Sequence, residues 1–139
     1  MPIATHSLSL GDATRMIGAA LLKADELKIA YNVAVVGGDG VLLAFARQDG
    51  ALPGCVDLAL GKAATARLFE KTTEELSTFA QPGAQLYGIQ QTNGGHVVIF
   101  GGGLPVRFQG IVIGAVGTSA GTVEQDISVA EAAVAALGF

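Results

Sequence analysis

With 139 residues, of which 50% are apolar and 14% charged, the chain is long enough for one domain with its own core, and it carries a net charge of −4. Its eight basic residues stand singly from Arg15 to Arg107 and tryptophan is absent, which excludes a nucleic-acid surface. No apolar run approaches the roughly 18 residues of a membrane span, so the apolar excess belongs to a core and to contacts between subunits.

Ser9-Leu10-Gly11-Asp12 has the spacing of a capping start, and Ala13, Met16, Ile17, Ala20, Leu21, Ala24 and Leu27 follow at helical period, predicting a first helix over 9–28. Asn32–Val36 and Val41–Ala46, joined by Gly37-Gly38-Asp39-Gly40, read as a β-hairpin. Asp49-Gly50 and Pro53-Gly54 mark turns before a second helix over 56–70, and a short helical turn is expected near 73–79. The polar stretch 81–95 reads as a long loop.

His96–Phe100, Leu104–Phe108 and Ile111–Thr118 are three strand candidates set apart by Gly101-Gly102-Gly103 and Gln109-Gly110, and they predict a meander. Thr122-Val123-Glu124-Gln125 has capping-box spacing, with Val123, Ile127, Ala130, Val134 and Leu137 as the stripe of a closing helix and Gly138 at its end. Helix, two strands, helix, three strands, helix predicts an α+β domain with a mainly antiparallel five-stranded sheet.

An ordinary soluble domain is about 25% charged, so a chain this poor in charge is expected to be a homo-oligomer, a dimer or a higher assembly such as a tetramer or octamer. The lone Cys55 and a start, MPIATHSLSL, without a basic or long apolar segment make a cytoplasmic location the expectation.

Arg47-Gln48-Asp49-Gly50-Ala51, the Ala59-x-x-Lys62-Ala63-x-Thr65-Ala66 helix segment, Gly102-Gly103-x-Pro105, and Gly110-x-Val112-Ile113-Gly114-Ala115-Val116-Gly117-x-Ser119 with Gln125-Asp126 together resemble the GlcG/HbpS family. These are small proteins, free-standing or appended to other domains such as the corrinoid adenosyltransferase of propanediol utilisation. The resemblance implies a profilin-like sheet with flanking helices, oligomeric assembly and, in some members, binding of haem or iron. The chain departs from the family pattern where Gly37 replaces an aspartate at the end of the first strand and where Cys55 occupies a common serine position.

Lys62 lies on a helix that is apolar or small on nearly every side, so it must pair with an acid, reach out to solvent, or hold a ligand carboxylate. A structural ion pair with Asp49 or Asp57 weighs equally with a ligand role. Arg47 and Asp49, with Asp57 just beyond, form either a loop-fixing salt bridge or a charged site around 50–54.

Gly117-Thr118-Ser119-Ala120-Gly121 matches the G-x-S-x-G nucleophile pattern, but both histidines, His6 and His96, precede it, so it reads as a glycine-permitted turn. Backbone N–H groups from Thr118 to Val123, with the hydroxyls of Ser119 and Thr122, either cap the last helix or receive a carboxylate. His96, at the mouth of a predicted strand, is the candidate ligand to haem iron. His6 sits in an N-terminal arm.

Three functional classes follow. The first is an oligomeric small-ligand-binding protein of the GlcG/HbpS type that binds haem or iron in some members, with haem as the most specific candidate ligand. The second is a small isomerase, tautomerase or hydrolase acting on an anionic metabolite through Lys62, Arg47 and Asp49. The third is an accessory subunit of a larger enzyme.

Overall fold

A computed structural model describes residues 1–139. Helix α1 (Leu10–Leu27) begins where the Ser9 hydroxyl accepts from Asp12 N–H and the Asp12 carboxylate accepts from Ser9 N–H, and it ends at Lys28 in the left-handed conformation. Strands β1 (Asn32–Val36) and β2 (Leu42–Arg47) form the first hairpin. Helices α2 (Gly54–Phe69) and α3 (Thr73–Phe79) follow, then two single 3₁₀ turns at Ile89–Gln91 and Asn93–Gly95. Strands β3 (Gly103–Phe108) and β4 (Ile111–Ser119) make a second hairpin through Gln109 and Gly110, both at positive φ, and helix α4 (Val123–Ala135) closes the chain.

The sheet is antiparallel throughout, in the order β2-β1-β4-β3. It has four strands, not the five expected. The apolar run His96–Phe100 pairs with no strand: it lies along α2, where Val98 N–H donates to the Thr65 hydroxyl at 3.0 Å and Val97 is buried. Short apolar runs of this kind look alike in sequence whether a sheet or a helix covers them.

Helices α1 and α4 cover one face, packing Met16, Ala20, Val129 and Ala130 against Val33, Val35, Val106 and Val116. Helix α2 covers the other, with Ala59, Ala63 and Ala66 against Ala34, Val36 and Ala115. That second layer is backbone against backbone. A Cβ on Gly117 would strike Ala59 O and come within 2.5 Å of Ala63 N, so glycine there is a condition of α2 lying down at all.

Candidate functional site

The close approach of α2 to β4 carries Lys62 into the interior, where its side chain is 0% exposed. Its Nζ lies 2.7 Å from Asp126 Oδ2 and donates to Thr118 O at 2.9 Å, and its remaining side faces the Phe100 ring, 5.1 Å from the centroid. Gly102, at φ +127°, passes so near that a Cβ would sit 2.7 Å from Nζ.

The other carboxylate oxygen, Asp126 Oδ1, accepts from the Tyr31 hydroxyl at 2.9 Å, from Gly121 N–H at 3.0 Å and from Ala120 N–H at 3.2 Å. Thr118 Oγ1 donates to Asp126 O at 2.6 Å. One positive and one negative charge are thus buried together with nearly every lone pair and proton engaged, the condition under which a dry ion pair is tolerable. Burial first, and the neighbouring Asp126 carboxylate second, push the Tyr31 phenol well above its ordinary value.

The lysine's partner is therefore Asp126, not Asp49 or Asp57 as the local sequence suggested. A signal was present: Asp126 interrupts the apolar stripe of α4 between Val123 and Ile127, and a buried cation needs a buried anion somewhere. Nothing local links it to Lys62.

The turn before α4 is also engaged from within. Two of the backbone N–H groups read as a carboxylate receptor, those of Ala120 and Gly121, point at Asp126 itself. Thr122 caps the helix reciprocally with Gln125, its hydroxyl accepting from Gln125 N–H at 3.2 Å while Gln125 Oε1 accepts from Thr122 N–H at 2.9 Å. Ser119 is buried at the end of β4, and Gly117 lies under α2.

Arg47 and Asp49 stand elsewhere. They line an open cleft of about 550 Å³ together with Asp25, Lys28 and Gln48, and Lys62 is not part of it. Arg47 Nη2 donates to Ala51 O at 3.3 Å, and no ion pair joins Arg47 to Asp49 or Asp57. Across the sheet Arg47, Asn32 and Ser119 share one register. The fully buried Asn32 donates to Leu52 O and Ser119 O, while its Oδ1 has no partner.

His96 borders a groove of about 610 Å³ between the outer side of α2 and the segment from Gly95 to Phe100. Leu58, Leu60, Val98 and Phe100 supply apolar walls, and Asp57, Gln90 and His96 are its polar side chains. Gln90 Oε1 is shielded from water without a hydrogen-bond partner. The His96 ring is exposed, and Phe100, which shields Lys62, is also part of this wall.

His6 does not join His96 and lines a separate, smaller hollow with Asp39 and Arg67. No three His, Cys, Asp or Glu side chains converge to cage a bare metal ion. Haem iron is already held by its macrocycle and takes as little as one protein ligand, so a single imidazole beside an apolar groove fits that group.

A family model described as haem degrading protein HbpS-like matches residues 8–135. An uncharacterized 15.0 kDa protein of the dhaT-dhaS intergenic region in Citrobacter freundii is 45% identical over 128 residues, 92% of this chain and 90% of that one. The corrinoid adenosyltransferase PduO of Citrobacter freundii is 38% identical over 131 residues, which span 94% of this chain but only 39% of the enzyme. Among solved structures, a PduOC:haem complex superposes with a TM-score of 0.89 at 40% identity, covering 93% of this chain and 94% of that one.

Proposed function

Because the chain belongs to the HbpS-like family of haem degrading proteins, we propose that it is an oligomeric ligand-binding protein that takes haem in the groove beside α2, with His96 as the ligand to iron. The observation that carries this reading is the exposed imidazole at the rim of an apolar groove, apart from Lys62, whose charge is spent on its buried pair with Asp126. Leu58, Leu60, Val98 and Phe100 would face the macrocycle, and Gln90 Oε1 would find the donor it lacks in a ligand or an ordered water. Bound haem would supply redox-active iron; the groove residues would hold the ring and His96 would give its imidazole to the iron.

The test is an absorbance titration with haem on the wild type and on His96→Ala. A saturable, sharpened Soret band that the substitution abolishes supports the assignment. A saturable band that His96→Ala leaves unchanged moves the ligand elsewhere, and no saturable change removes haem.

The open cleft favours a second reading. Lys28 and Arg47 place two cations on its wall, which suits an anionic metabolite, and Asp49 is a carboxylate there for proton transfer. Lys62 would act there only through the fold, since it does not line the cleft. Arg47→Ala removing turnover or binding of a small carboxylate, with haem binding intact, separates the two readings.

A further inference from the structure

We propose that two copies of this chain join through their β2 strands, edge to edge about a two-fold axis, so that the four-stranded sheets of the two protomers become one. Strand β2 ends the sheet on one side, with β1 as its only neighbour. The register fixes which of its backbone groups are free. Gln48 N–H donates to Tyr31 O at 2.9 Å, so positions 31 and 48 form a hydrogen-bonded pair. By the alternation of an antiparallel ladder, Val33 with Ala46 and Val35 with Ala44 are hydrogen-bonded pairs too. Phe45 and Arg47 therefore turn their N–H and C=O groups to the open edge.

The two edges of this sheet are unlike. Strand β3 carries Pro105, which has no N–H to offer, and Arg107, while the C-terminal Phe139 ring packs on Phe108 at 5.2 Å between centroids. Strand β2 reads Leu42-Leu43-Ala44-Phe45-Ala46 before its first charge, with no proline. Such an edge is a template for another strand, and an antiparallel edge is complementary to itself under two-fold rotation.

The surroundings extend the same surface. Val41 and Leu42 stand at one end of the strand, 62% and 47% exposed, with Leu68 of α2 packed beside the Gly40 turn. Leu52, 60% exposed, stands at the other, where its carbonyl accepts from Asn32. An apolar rim around unpaired backbone suits a second copy, which brings the same rim and the same missing partners. A two-fold centred on Phe45 makes each Phe45 N–H donate to the Phe45 carbonyl of the other copy.

Hydrogen exchange on the unmodified protein tests this without any substitution. The amides of Phe45 and Arg47 are expected to be protected alongside those of Ala44 and Ala46, and to lose that protection on dilution. A second measurement places one cysteine on each edge in a Cys55→Ser background. Directly paired residues lie about 5.5 Å apart at Cα, within reach of a disulfide. Phe45→Cys should therefore give a disulfide-linked pair of 14.0 kDa chains under mild oxidation, while Arg107→Cys should not. Free exchange at Phe45 while Ala44 is protected overturns the proposal, as does linkage through position 107 but not 45, or a wild type that sediments as a single 14.0 kDa chain at every concentration.

Discussion

Lys62 and Asp126 stand 64 residues apart in the chain and 2.7 Å apart in the interior, where they tie α2 to α4 across the end of β4. Removing either partner strands the other charge in a dry setting. Lys62→Ala and Asp126→Ala are each expected to cost about 3–5 kcal/mol, read from denaturant unfolding. The double variant Lys62→Ala with Asp126→Ala should lose less than the sum of the single changes, giving a clear coupling energy in a double-mutant cycle.

Tyr31 makes the same cluster sensitive to alkali. Below the ordinary phenol value of 10.0 its proton is held in both folded and unfolded chains. Above it the unfolded chain gives up the proton while the folded one, with Asp126 alongside, retains it. Stability should therefore fall as pH rises past about 10, and Tyr31→Phe should flatten that fall. Chemical denaturation at pH 8, 10 and 11 checks the slope, and equal slopes in the two proteins would contradict the coupling.

At the acid end, the Ser9 backbone N–H above all, with help from the Arg15 guanidinium, holds Asp12 below its ordinary 3.8. The stability this gives α1 is present above that value and is lost as pH falls through the lowered one. In Asp12→Asn the α1 amides should exchange faster at neutral pH, with a smaller acid-dependent change than in the wild type.

The reciprocal cap at the start of α4 predicts a modest, local effect. Thr122→Ala is expected to cost about 1 kcal/mol, whereas Thr122→Ser should be close to neutral. Thermal unfolding of the three proteins distinguishes this capping role from a ligand contact, which would change binding more than stability.

The capping boxes of α1 and α4, both hairpins and the short α3 were legible in the sequence because each is specified by neighbours: Ser9 with Asp12, Thr122 with Gln125, Gln109 with Gly110. The fifth strand was misread because Val97 and Val98 carry the same apolar signal against a helix as against a sheet. The Lys62 partner escaped for a different reason. Ion pairing through the core is fixed by which helix lies over which strand, and spacing along the chain holds no record of that. The groove is less legible still, since only the folded course of residues 95–100 brings His96 alongside α2.

Gly117→Ala offers the most direct test of the second layer. One methyl would meet Ala59 O and Ala63 N, main-chain atoms that no rotamer change can move aside. We expect a loss of about 3 kcal/mol or more, with near-normal helical circular dichroism if the chain still folds.

A leucine-rich interior can absorb a changed side chain by repacking its neighbours. Between α2 and β4 there is almost no side chain to repack, because alanines and glycines bring the two backbones together. The inward side of α2 therefore tolerates little change in side-chain size, which leaves the opposite side of the same helix as the freer one. There Leu58 and Ala64 line the groove without joining that layer, so the shape of the groove could change while the frame stays fixed.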